Sequence, residues 1–435
     1  MLKEKIDNNT ARYGVIGLGY VGLPLAVEFA KVGIRVTGFE VDHSKVEHIR
    51  KGNSYIEDVP NAELAPLVKE KMFTATTDFD ELANMDVISI CVPTPLGKTR
   101  DPDMSYVVKA TESVAKRLRK GQLIILESTT YPGTTEELVR PELEKTGLKC
   151  GTDFFLAFSP ERVDPANKSY GVKNTPKVVG GCTPVGTELS TTFYRKAIDM
   201  VHPVSTAGAA EMAKLLENTF RSVNIGLVNE VALMCDRLGL DVWEVIDAAA
   251  TKPFGFMKFV PGPGVGGHCI PLDPIYLAWK LRSLNYRARF IELASEINLE
   301  MPGYVVRKVT DSLNDNSKSV RGSRILLVGI AYKNDVGDMR ESPALDIVKL
   351  LEQRGATVVY HDPHVPSFDD HGLRMTGVAL NEKELSSADC VVVTCRHKVT
   401  DFAFVAKHAK LIVDSRNAYP ITEKLPAGSA RVVRL

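Results

Sequence analysis

The chain has 435 residues, and its 54 Lys and Arg residues equal its 54 Asp and Glu residues in number. This balance excludes a strongly charged protein, so we expect neither nucleic acid nor a membrane surface as a partner. The length allows two or three domains. The polar start and the lack of apolar runs of about 18 residues predict a cytosolic protein. Seven cysteines without paired spacing predict reduced thiols, with no disulfide framework and no metal site.

The first segment has a glycine motif between a strand and a helix. A strand-like run ending at Ile16 enters a helix-like run starting at Leu23 through the pattern GxGxxG. Its glycines are Gly17, Gly19 and Gly22. In this context the motif predicts that a pyrophosphate approaches the helix N-terminus. Glu40 ends the next strand, where it would bind both ribose hydroxyls and repel a 2′-phosphate, which favours NAD over NADP.

Further strand-like runs at 87–92, 123–127 and 154–158 each lead into a loop. In a parallel doubly wound sheet the ligand lies beyond the carboxyl ends of the strands, so Thr94 and Thr129 are predicted to face the cofactor. Glu161 follows the third run and is a candidate base or water-positioning carboxylate. A local turn hydrogen bond remains the alternative for each Thr, and a solvated surface position remains the alternative for Glu161.

The pattern over 206–238 predicts one long helix with an apolar stripe. The stripe comprises Leu216, Phe220, Val223, Leu227, Val231 and Met234, and it predicts a core-facing side. Lys214, Asn218 and Arg221 lie on another side of this helix. They form either a solvated surface or a group that holds a developing alkoxide and a substrate carbonyl or phosphate. The same helix is a candidate dimer surface.

The stretch 261–274 is rich in Gly and Pro, which predicts a shaped loop that presents Cys269 with Asp273 four residues later. A thiolate beside a carboxylate is typical of covalent catalysis, in which the sulfur attacks a carbonyl. The alternative is an inert, buried cysteine. His268 is a candidate base, or a residue that orders the loop or touches a ligand.

The last third predicts a second α/β domain. A polar connector is expected over 311–321, followed by a strand at 324–329 and a helix at 343–353 that Ser342 caps. Further strands are predicted at 357–360, 390–394 and 411–413. The loops carry Tyr332, Lys333, Arg340 and Arg416. Cations at the carboxyl edge of a sheet suit a phosphorylated ligand, although each is also compatible with a plain surface charge.

Several motifs, taken in chain order, resemble the UDP-glucose/GDP-mannose dehydrogenase family. They are the glycine motif with CVPTP (91–95), ESTTYPGTT (127–135), SPER (159–162), 214–218, GGHCIP (266–271) with Asp273, and RESPA (340–344). The segments 217–226 and 248–256 resemble the branch of the family that acts on N-acetylhexosamines. The resemblance covers essentially the whole chain.

The resemblance implies an α/β fold with two Rossmann-like doubly wound parallel-sheet domains, joined by a long central helix and a helical middle domain. We expect the NAD-binding domain at 1–205, the helical domain with the Cys loop and dimer interface at 206–310, and the UDP-sugar domain at 311–435. The implied reaction is a four-electron oxidation of the sugar C6 alcohol to a carboxylate with two NAD, for surface polysaccharides. A homodimer or higher homo-oligomer is implied.

The resemblance also implies residue roles. Cys269 forms the thiohemiacetal and thioester, Lys214 and Asn218 stabilise the oxyanion, and Glu161, Thr129 and Asp273 arrange proton transfer and water. The implied cofactor contacts are Gly17, Gly19, Tyr20, Val21, Gly22, Glu40, Lys45, Thr94, Thr129 and Arg340. The implied UDP-sugar contacts are Arg162, Val163, Lys214, Asn218, Arg221, Gly264, Tyr332, Lys333 and Arg416.

The chain departs from the UDP-glucose branch at three positions. That branch has a glutamate where this chain has Pro165, a lysine where it has Leu272, and no equivalent of Arg221. The departures at Leu272 and Arg221 point away from glucose. With the closer likeness of the segments 217–226 and 248–256, we expect UDP-N-acetylglucosamine as substrate, with UDP-N-acetylmannosamine, UDP-N-acetylgalactosamine and UDP-glucose as alternatives. Alternatives from other classes are a two-electron alcohol or hydroxy-acid dehydrogenase and a non-catalytic NAD-sensing module.

Overall fold

A computed structural model describes residues 2–56, 58–97, 101–163, 167, 169–267, 269–370 and 372–435. The chain forms two compact units. The first comprises Met1–Glu217 and Ile275–Tyr286, and the second comprises Asn218–Pro274 and Arg287–Leu435. The segment predicted as a separate helical domain, 206–310, is thus shared by the two units.

The first unit is built on an eight-stranded sheet. Its strands are β1 (Tyr13–Ile16), β2 (Val36–Phe39), β3 (Phe73–Thr76), β4 (Val87–Ile90), β5 (Leu123–Leu126), β6 (Phe155–Phe158), β7 (Lys177–Gly181) and β8 (Val201–Val204). Their order in the sheet is β3-β2-β1-β4-β5-β6-β7-β8. All neighbours pair in parallel except β6 and β7. The order reverses between β1 and β4, where a doubly wound sheet opens a crevice for its ligand.

Helices cover the first sheet. They are α1 (Leu2–Asp7), α2 (Gly22–Lys31), α3 (His43–Arg50), α4 (Asn61–Lys69), α5 (Ser105–Ala115), α6 (Arg140–Glu144) and α7 (Pro184–Tyr194), with a 3₁₀ helix at Phe79–Asn84 and a π-helical turn at Thr135–Val139. The strands β1, β4 and β5 are buried along their whole length. This explains their continuous apolar runs, because a parallel sheet is covered on both faces.

The remaining helices begin with α8 (Ala207–Leu238), which starts in the first unit and continues in the second. It is followed by α9 (Val242–Ala250), α10 (Asp273–Ser283), α11 (Arg289–Asp315), α12 (Pro343–Gln353), α13 (Glu382–Ser387) and α14 (Phe402–His408). Within the described ranges, none of the helices combines the length and apolar character needed to cross a membrane.

The second unit contains a smaller parallel sheet. Its strands are β9 (Arg324–Val328), β10 (Thr357–His361), β13 (Cys390–Val393), β14 (Leu411–Asp414) and β15 (Arg431–Arg434), in the order β10-β9-β13-β14-β15. The hairpin β11 (Ser367–Asp370) and β12 (Leu373–Thr376) is separate from this sheet. The predicted α/β class with two Rossmann-like parallel sheets is confirmed.

Most of the apolar stripe of α8 does not face a core within the chain. Leu216 is 58% exposed, Phe220 44%, Leu227 54% and Met234 47%. Val223 is half-buried, and Val231 packs against a small buried cluster that includes Trp243. The prediction of a core-facing side was therefore wrong for the four exposed residues. The face that packs carries smaller and polar residues, among them Gly226, whose added Cβ would lie 3.1 Å from Ala294 of α11. Close helix packing selects small residues, and a pattern based on large apolar residues misses it.

The connector predicted over 311–321 is wrong in its first part, because α11 continues through Asp315. Val305, Val309 and Leu313 are fully buried and recur every four residues, so the apolar side of the helix extends under the polar sequence. The charged side chains of this turn lie on its other side.

Candidate active site

The turn from β1 to α2 explains why each motif glycine is there. Gly17 has φ +88°, and a Cβ at this position would lie 2.6 Å from the carbonyl oxygen of Cys91. A Cβ at Gly22 would lie 1.9 Å from the carbonyl oxygen of Gly17. At Gly19, by contrast, an added Cβ would meet no heavy atom within 4 Å. The protein's own packing therefore requires the outer two glycines, whereas the middle one leaves room for a ligand.

The N-terminus of α2 has the features of a pyrophosphate site. Val21, its N-cap, makes no side-chain capping bond. Leu23 N donates to the carbonyl oxygen of Gly19 at 3.1 Å and Pro24 has no N–H, so an anion would be bound by the N–H of Gly22 and by the positive end of the helix dipole. Tyr20, beside it, is 56% exposed. The open space at Gly19 and this helix end together fit the dinucleotide that the motif predicts.

Glu40 lies at the carboxyl end of β2 and is turned toward the glycine turn. Its Oε2 accepts a hydrogen bond from Leu18 N at 3.1 Å, and its Oε1 accepts one from Val41 N at 2.9 Å. Lys45 Nζ lies 3.8 Å from Oε2. The carboxylate is only 8% exposed. It is fixed in orientation by backbone donors while its remaining lone pairs are left for ribose hydroxyls.

The loop that carries Thr129 is held by a buried carboxylate that the sequence had not singled out. Glu211 of α8 accepts hydrogen bonds from Gly133 N at 2.6 Å, Thr135 N at 2.9 Å and Thr135 Oγ1 at 2.6 Å. Burial raises its pKa above the ordinary value, against the effect of these donors. The loop after β5 is thereby pinned to the first turns of α8, and Thr129 within it is half-buried.

Thr94, the other predicted cofactor threonine, is 5% exposed in the loop after β4. Its carbonyl oxygen accepts a hydrogen bond from the Tyr276 hydroxyl at 2.7 Å. Tyr276 belongs to the segment of α10 that packs in the first unit. The loop after β4 is therefore anchored through its backbone.

Glu161 is the centre of a buried charged group. Its Oε1 accepts from Arg162 N at 2.7 Å and Val163 N at 2.8 Å, while Lys177 Nζ lies 3.6 Å from its Oε2. Lys177 Nζ also donates to Glu127 Oε2 at 2.7 Å. The solvated surface position considered for Glu161 is thus excluded. Neither Glu127 nor Lys177 was predicted to belong to the site, although each is a lone charge next to a short apolar run.

Arg162 makes ion pairs within the first unit. Its Nη2 lies 2.7 Å from Glu217 Oε1, and its Nη1 donates to the carbonyl of Pro176 at 2.6 Å. The guanidinium is therefore held near the end of β6, and its contact with the substrate stays a prediction. Pro165, the departure from the UDP-glucose branch, lies outside the described residues.

The polar side of α8 is divided by burial. Lys214 is 8% exposed and Asn218 4%, whereas Arg221 is exposed. A solvated face would leave all three side chains in water, so this alternative is excluded for Lys214 and Asn218. A buried ammonium and amide on successive helical turns are suited to stabilise negative charge.

The Cys269 loop is shaped by the second unit. Gly262 N donates to Asn229 Oδ1 at 3.0 Å, and Gly267 N donates to the carbonyl oxygen of Arg340 at 2.8 Å. Cys269 is exposed, which removes the alternative of a cysteine buried in the core. Its carbonyl oxygen accepts from Asp273 N at 2.9 Å. His268 lies outside the described residues.

Asp273, the first residue of α10, is 3% exposed and accepts a hydrogen bond from Asn218 Nδ2 at 2.5 Å. The amide and the carboxylate predicted to act with Cys269 therefore meet within the second unit. One amide hydrogen of Asn218 is used in this contact, which orients the side chain.

Residues predicted to bind the UDP-sugar adjoin the same loop. An added Cβ at Gly266 would lie 2.6 Å from Tyr332, and one at Gly262 would lie 2.8 Å from the guanidinium of Arg416. Arg416 Nε donates to the carbonyl of Thr394 at 2.9 Å. Gly264 has φ +132°, and an added Cβ there would approach Pro343 to 3.1 Å. The loop thus packs on the edge of the second sheet through glycines.

Two predicted cations lie in this edge. Lys333 is half-buried beside Tyr332. Arg340, predicted as a cofactor contact, is exposed and its Nε donates to Asp338 Oδ1 at 3.0 Å. Arg340 belongs to the second unit and the glycine motif to the first, so its cofactor role stays a prediction.

A buried pair closes the end of β10. Asp362 accepts from Ile330 N at 2.8 Å, Ala331 N at 3.0 Å and His397 Nε2 at 3.0 Å. His397 Nδ1 accepts from Asp335 N at 2.9 Å. Among the described residues, Asp335, His364 and His397 have potential metal-ligating atoms within 4.8 Å of one another. Because both ring nitrogens of His397 are already engaged, this group is held together by hydrogen bonds.

Comparison with known proteins extends along nearly the whole chain. The profiles of the UDP-glucose/GDP-mannose dehydrogenase family match at residues 11–198 for the NAD binding domain, 208–300 for the central domain and 326–421 for the UDP binding domain. A UDP-N-acetyl-D-glucosamine 6-dehydrogenase of Pseudomonas aeruginosa is 39% identical over 371 residues, covering 84% of this chain and 86% of that protein.

Solved structures give the same fold with other sugars in their names. A UDP-D-ManNAc dehydrogenase of Pyrococcus horikoshii has a TM-score of 0.87 at 33% identity, covering 97% of this chain and 98% of that chain. An NDP-N-acetyl-D-galactosaminuronic acid dehydrogenase of Methanosarcina mazei has a TM-score of 0.84 at 29% identity, covering 100% and 97%. The similar proteins thus differ in the epimer they are named for.

Proposed function

Because the chain belongs to the UDP-glucose/GDP-mannose dehydrogenase family, we propose that it oxidises UDP-N-acetylglucosamine at C6 to UDP-N-acetylglucosaminuronate. Family membership makes it an NAD-dependent nucleotide-sugar dehydrogenase, and the choice of sugar is the proposal. The observation that supports N-acetylglucosamine is the 39% identity to a UDP-N-acetyl-D-glucosamine 6-dehydrogenase. The four-electron chemistry is supported by the exposed Cys269 in a glycine-shaped loop, within a chain that matches all three family domains in order.

The reaction removes four electrons. One alcohol, two NAD⁺ and one water give one carboxylate, two NADH and three protons. NAD, when bound, supplies the hydride acceptor. We assign its binding to Gly17, Gly19, Tyr20, Val21, Gly22, Glu40, Lys45, Thr94, Thr129 and Arg340.

Cys269 retains the half-oxidised sugar. Its thiolate adds to the aldehyde carbon to form a thiohemiacetal, and loss of the second hydride leaves a thioester, which water hydrolyses. A covalent bond prevents the reactive aldehyde from leaving before the second oxidation. The exposure of the thiol and the positive φ of Gly264 and Gly267 support this role, because substrate must reach the sulfur in a tightly turned loop.

The charge that develops on the sugar oxygen needs fixed donors. We assign Lys214 and the second amide hydrogen of Asn218 to this oxyanion, since both side chains are buried and preorganised. Asp273 holds the amide of Asn218 and, with Thr129, takes part in proton transfer. Glu161 activates the hydrolytic water.

We assign the UDP-sugar to a set of cations and loop residues. They are Arg162, Val163, Lys214, Asn218, Arg221, Gly264, Tyr332, Lys333 and Arg416. Guanidinium groups suit diphosphate recognition because they present paired donors to phosphate oxygens. The contacts that fix Arg162 and Arg416 support these assignments, because each guanidinium is oriented before substrate binds.

The exposed apolar stripe of α8 supports a homodimer. Leu216, Phe220, Leu227 and Met234 would bury this surface against a second copy of the chain. Substituting Leu227 with Glu should convert a dimer to a monomer in light scattering, whereas Lys173→Met should leave the mass unchanged. A wild-type monomer would contradict the assignment.

We place the reaction in the cytoplasm and assign its product to surface polysaccharide synthesis. All seven cysteines lie in the described ranges as thiols, and a catalytic thiol requires a reducing compartment to stay active. The similar proteins include Protein CapL of Staphylococcus aureus, 36% identical over 387 residues.

UDP-N-acetylmannosamine is the second candidate substrate, favoured by the structure from Pyrococcus horikoshii. NADH release should be measured with UDP-N-acetylglucosamine, its manno and galacto epimers, UDP-glucose and GDP-mannose. We expect the highest kcat/KM with UDP-N-acetylglucosamine. A higher value with another sugar would transfer the assignment to that sugar, and no turnover with any of them would contradict the enzymatic function.

A further inference from the structure

The ammonium of Lys177 is buried between the carboxylates of Glu127 and Glu161. The side chain of Lys177 is 5% exposed, that of Glu127 is fully buried and that of Glu161 is 15% exposed. The placement follows from the sheet, because β7 runs antiparallel to β6 with Phe158 opposite Gly180. Continuing this register beyond the end of β6 brings Lys177 opposite Glu161.

The two oxygens of Glu161 have different surroundings. Oε1 accepts hydrogen bonds from the backbone N–H groups of Arg162 and Val163, which fix its position. Oε2 is buried and has no hydrogen-bond partner among the described residues, although Lys177 Nζ lies 3.6 Å away. Oε2 is therefore the oxygen with unused acceptor capacity, and the ammonium sets the charge beside it.

Lys177 is itself held in place by Glu127 and Tyr194. Glu127 Oε2 accepts from Lys177 Nζ at 2.7 Å, and Glu127 Oε1 accepts from the hydroxyls of Tyr194 and Ser89. The ammonium also lies over the Tyr194 ring, 5.1 Å from its centroid. These contacts leave Lys177 little freedom to move away from Glu161. Because Lys177 and Glu127 are buried next to Glu161, their interaction is screened by solvent much less than a surface ion pair would be.

We propose that Lys177 is a positioning residue for Glu161, and that its ammonium, anchored by Glu127, keeps this carboxylate ionised and aimed at the hydrolytic water. The inference rests on the proposed function. Lys177 acts through Glu161 and does not touch the sugar. The ammonium of Lys177 is thus the group that allows the buried Glu161 to act as a base.

The electrostatic surroundings give the direction of the effect. Burial would raise the pKa of Glu161, but Lys177 lowers it, followed by the backbone N–H groups of Val163 and Arg162 and by Lys214. The titratable groups that face Glu161 are Lys177 of β7, Glu127 after β5, the buried thiol of Cys91 after β4, and Lys214 of α8. Loss of the Lys177 charge should therefore raise the pKa of Glu161.

The step in question is hydrolysis of the thioester on Cys269. Water adds to the carbonyl carbon while Glu161 takes one of its protons, and the C–S bond then breaks. The departing sulfur takes the proton that Glu161 holds, so the products are the Cys269 thiol and the sugar carboxylic acid, which ionises, and Glu161 is again a carboxylate. Both hydrides have left before this step, so a defect confined to it leaves both oxidations intact.

The test compares kcat as a function of pH for a charge-neutral variant and a control. Lys177→Met/Glu127→Gln removes the ammonium without leaving the Glu127 carboxylate buried alone. Lys173→Met, at an exposed lysine four residues earlier, is the control. We expect kcat of the double variant to fall about 10- to 100-fold at neutral pH, less than the roughly 10²- to 10⁴-fold effect of losing a general base. The acidic limb of its profile should move to higher pH, because Lys177 lies 3.6 Å from Glu161 and exerts the largest charge effect on it, which outweighs the opposite effect of losing the Glu127 charge.

Two more variants separate charge from structure. Lys177→Arg keeps the charge and should keep the limb near its wild-type position. Glu127→Gln alone removes a negative charge near Glu161 and should move the limb to lower pH. Rapid mixing of the double variant should give a burst of two NADH per site, followed by slow turnover, with the sugar thioester on Cys269 detectable by intact mass.

The outcomes distinguish a failure of the role proposed for Lys177 from a failure of the proposed dehydrogenase function. A wild-type enzyme that makes no acid contradicts the proposed function itself. If the wild type makes acid and the double variant matches Lys173→Met in pH profile and burst, only the role of Lys177 is overturned. Failure of all Lys177 and Glu127 variants to fold would assign the group to structure and also overturn it.

Discussion

The carboxyl edges of the two sheets share one arrangement and differ in what it leaves open. After β1, Gly17 N donates to the carbonyl of Phe39 at 2.8 Å, and after β9, Gly329 N donates to the carbonyl of His361 at 2.8 Å. In both sheets an acid at the end of the neighbouring strand then accepts the next N–H groups, Glu40 in the first and Asp362 in the second.

The difference lies in how each acid is closed off. Glu40 keeps acceptor capacity beside a turn with open space at Gly19. Asp362 is sealed by the buried His397, and an added Cβ at Gly329 would lie 2.3 Å from the Cβ of Cys395. The second edge packs instead against the Cys269 loop through Tyr332 and Arg416. The same arrangement can thus leave space for a dinucleotide or pack against the Cys269 loop, depending on a few side chains.

Removing the sulfur should have the largest effect. Cys269→Ala should lower acid formation on the order of 10⁴-fold or more, because the aldehyde is no longer held covalently. NAD affinity, measured by fluorescence titration, should stay unchanged because the glycine turn belongs to the other edge. Cys182→Ala, at a half-buried thiol, is the control. Near-normal acid production by Cys269→Ala would contradict the covalent role.

Removing the Asp362 carboxylate from the edge of the second sheet should lower the free energy of unfolding. Burial would raise the pKa of Asp362, but the hydrogen bonds from His397 and three backbone N–H groups lower it to about 2. The stabilisation is present above the unfolded-state pKa of about 4 and is lost as pH falls toward 2, which corresponds to about 2 kcal/mol. Asp362→Asn should lower the free energy of unfolding by about this amount at pH 7 and weaken its dependence on pH between 4 and 2. Urea unfolding at both pH values measures it, and an unchanged curve would contradict the account of this edge.

Substitution of Glu40, at the edge of the first sheet, should change cofactor binding. Glu40→Ala should weaken NAD binding by about tenfold, or about 1.4 kcal/mol, and relax the exclusion of NADP. Glu40→Gln separates the contributions, because it keeps an acceptor for Leu18 N while losing the charge that repels a 2′-phosphate. The measurement is kcat/KM for both cofactors. Unchanged preference in both variants would show that Glu40 does not read the ribose.

The smallest effect is expected at Gly19. Gly19→Ala has space in the protein, so the thermal midpoint should hardly change, while NAD binding weakens by about 1 kcal/mol as the methyl group meets the pyrophosphate. Gly17→Ala is the matched comparison, because its φ of +88° and the 2.6 Å approach to Cys91 should lower stability instead. Equal stability losses would mean that Gly19 serves packing as well.

The sequence predicted the frame of both sheets because buried strands and their turns are local signals. Pro343–Gln353 was predicted with its bounds, and Ser342 caps it by accepting a hydrogen bond from Ala344 N. The strands β3, β7, β8 and β15 were missed because their sequences FTAT, KVVGG, VHPV and RVVR lack the largely apolar runs of equally short strands such as β4 and β5.

The site could be predicted where motifs fix backbone shape, and less where burial decides. Cys269 and the glycine turn follow from glycine chemistry. Lys177, Glu127 and Glu211 escaped because a lone charge in sequence is usually solvated, and only strand pairing or helix packing shows that these three are buried. The α8 stripe misled in the opposite direction, because apolar periodicity does not distinguish a core-facing side from an exposed apolar surface.

The most direct measurement is the stoichiometry of NADH released per UDP-N-acetylglucosamine consumed, with the sugar product identified by mass spectrometry. A cysteine that traps the aldehyde after the first oxidation and holds it through the second predicts two NADH and a carboxylate. One NADH and an aldehyde or ketone would show a two-electron dehydrogenase in which Cys269 is not a nucleophile, and would contradict the account.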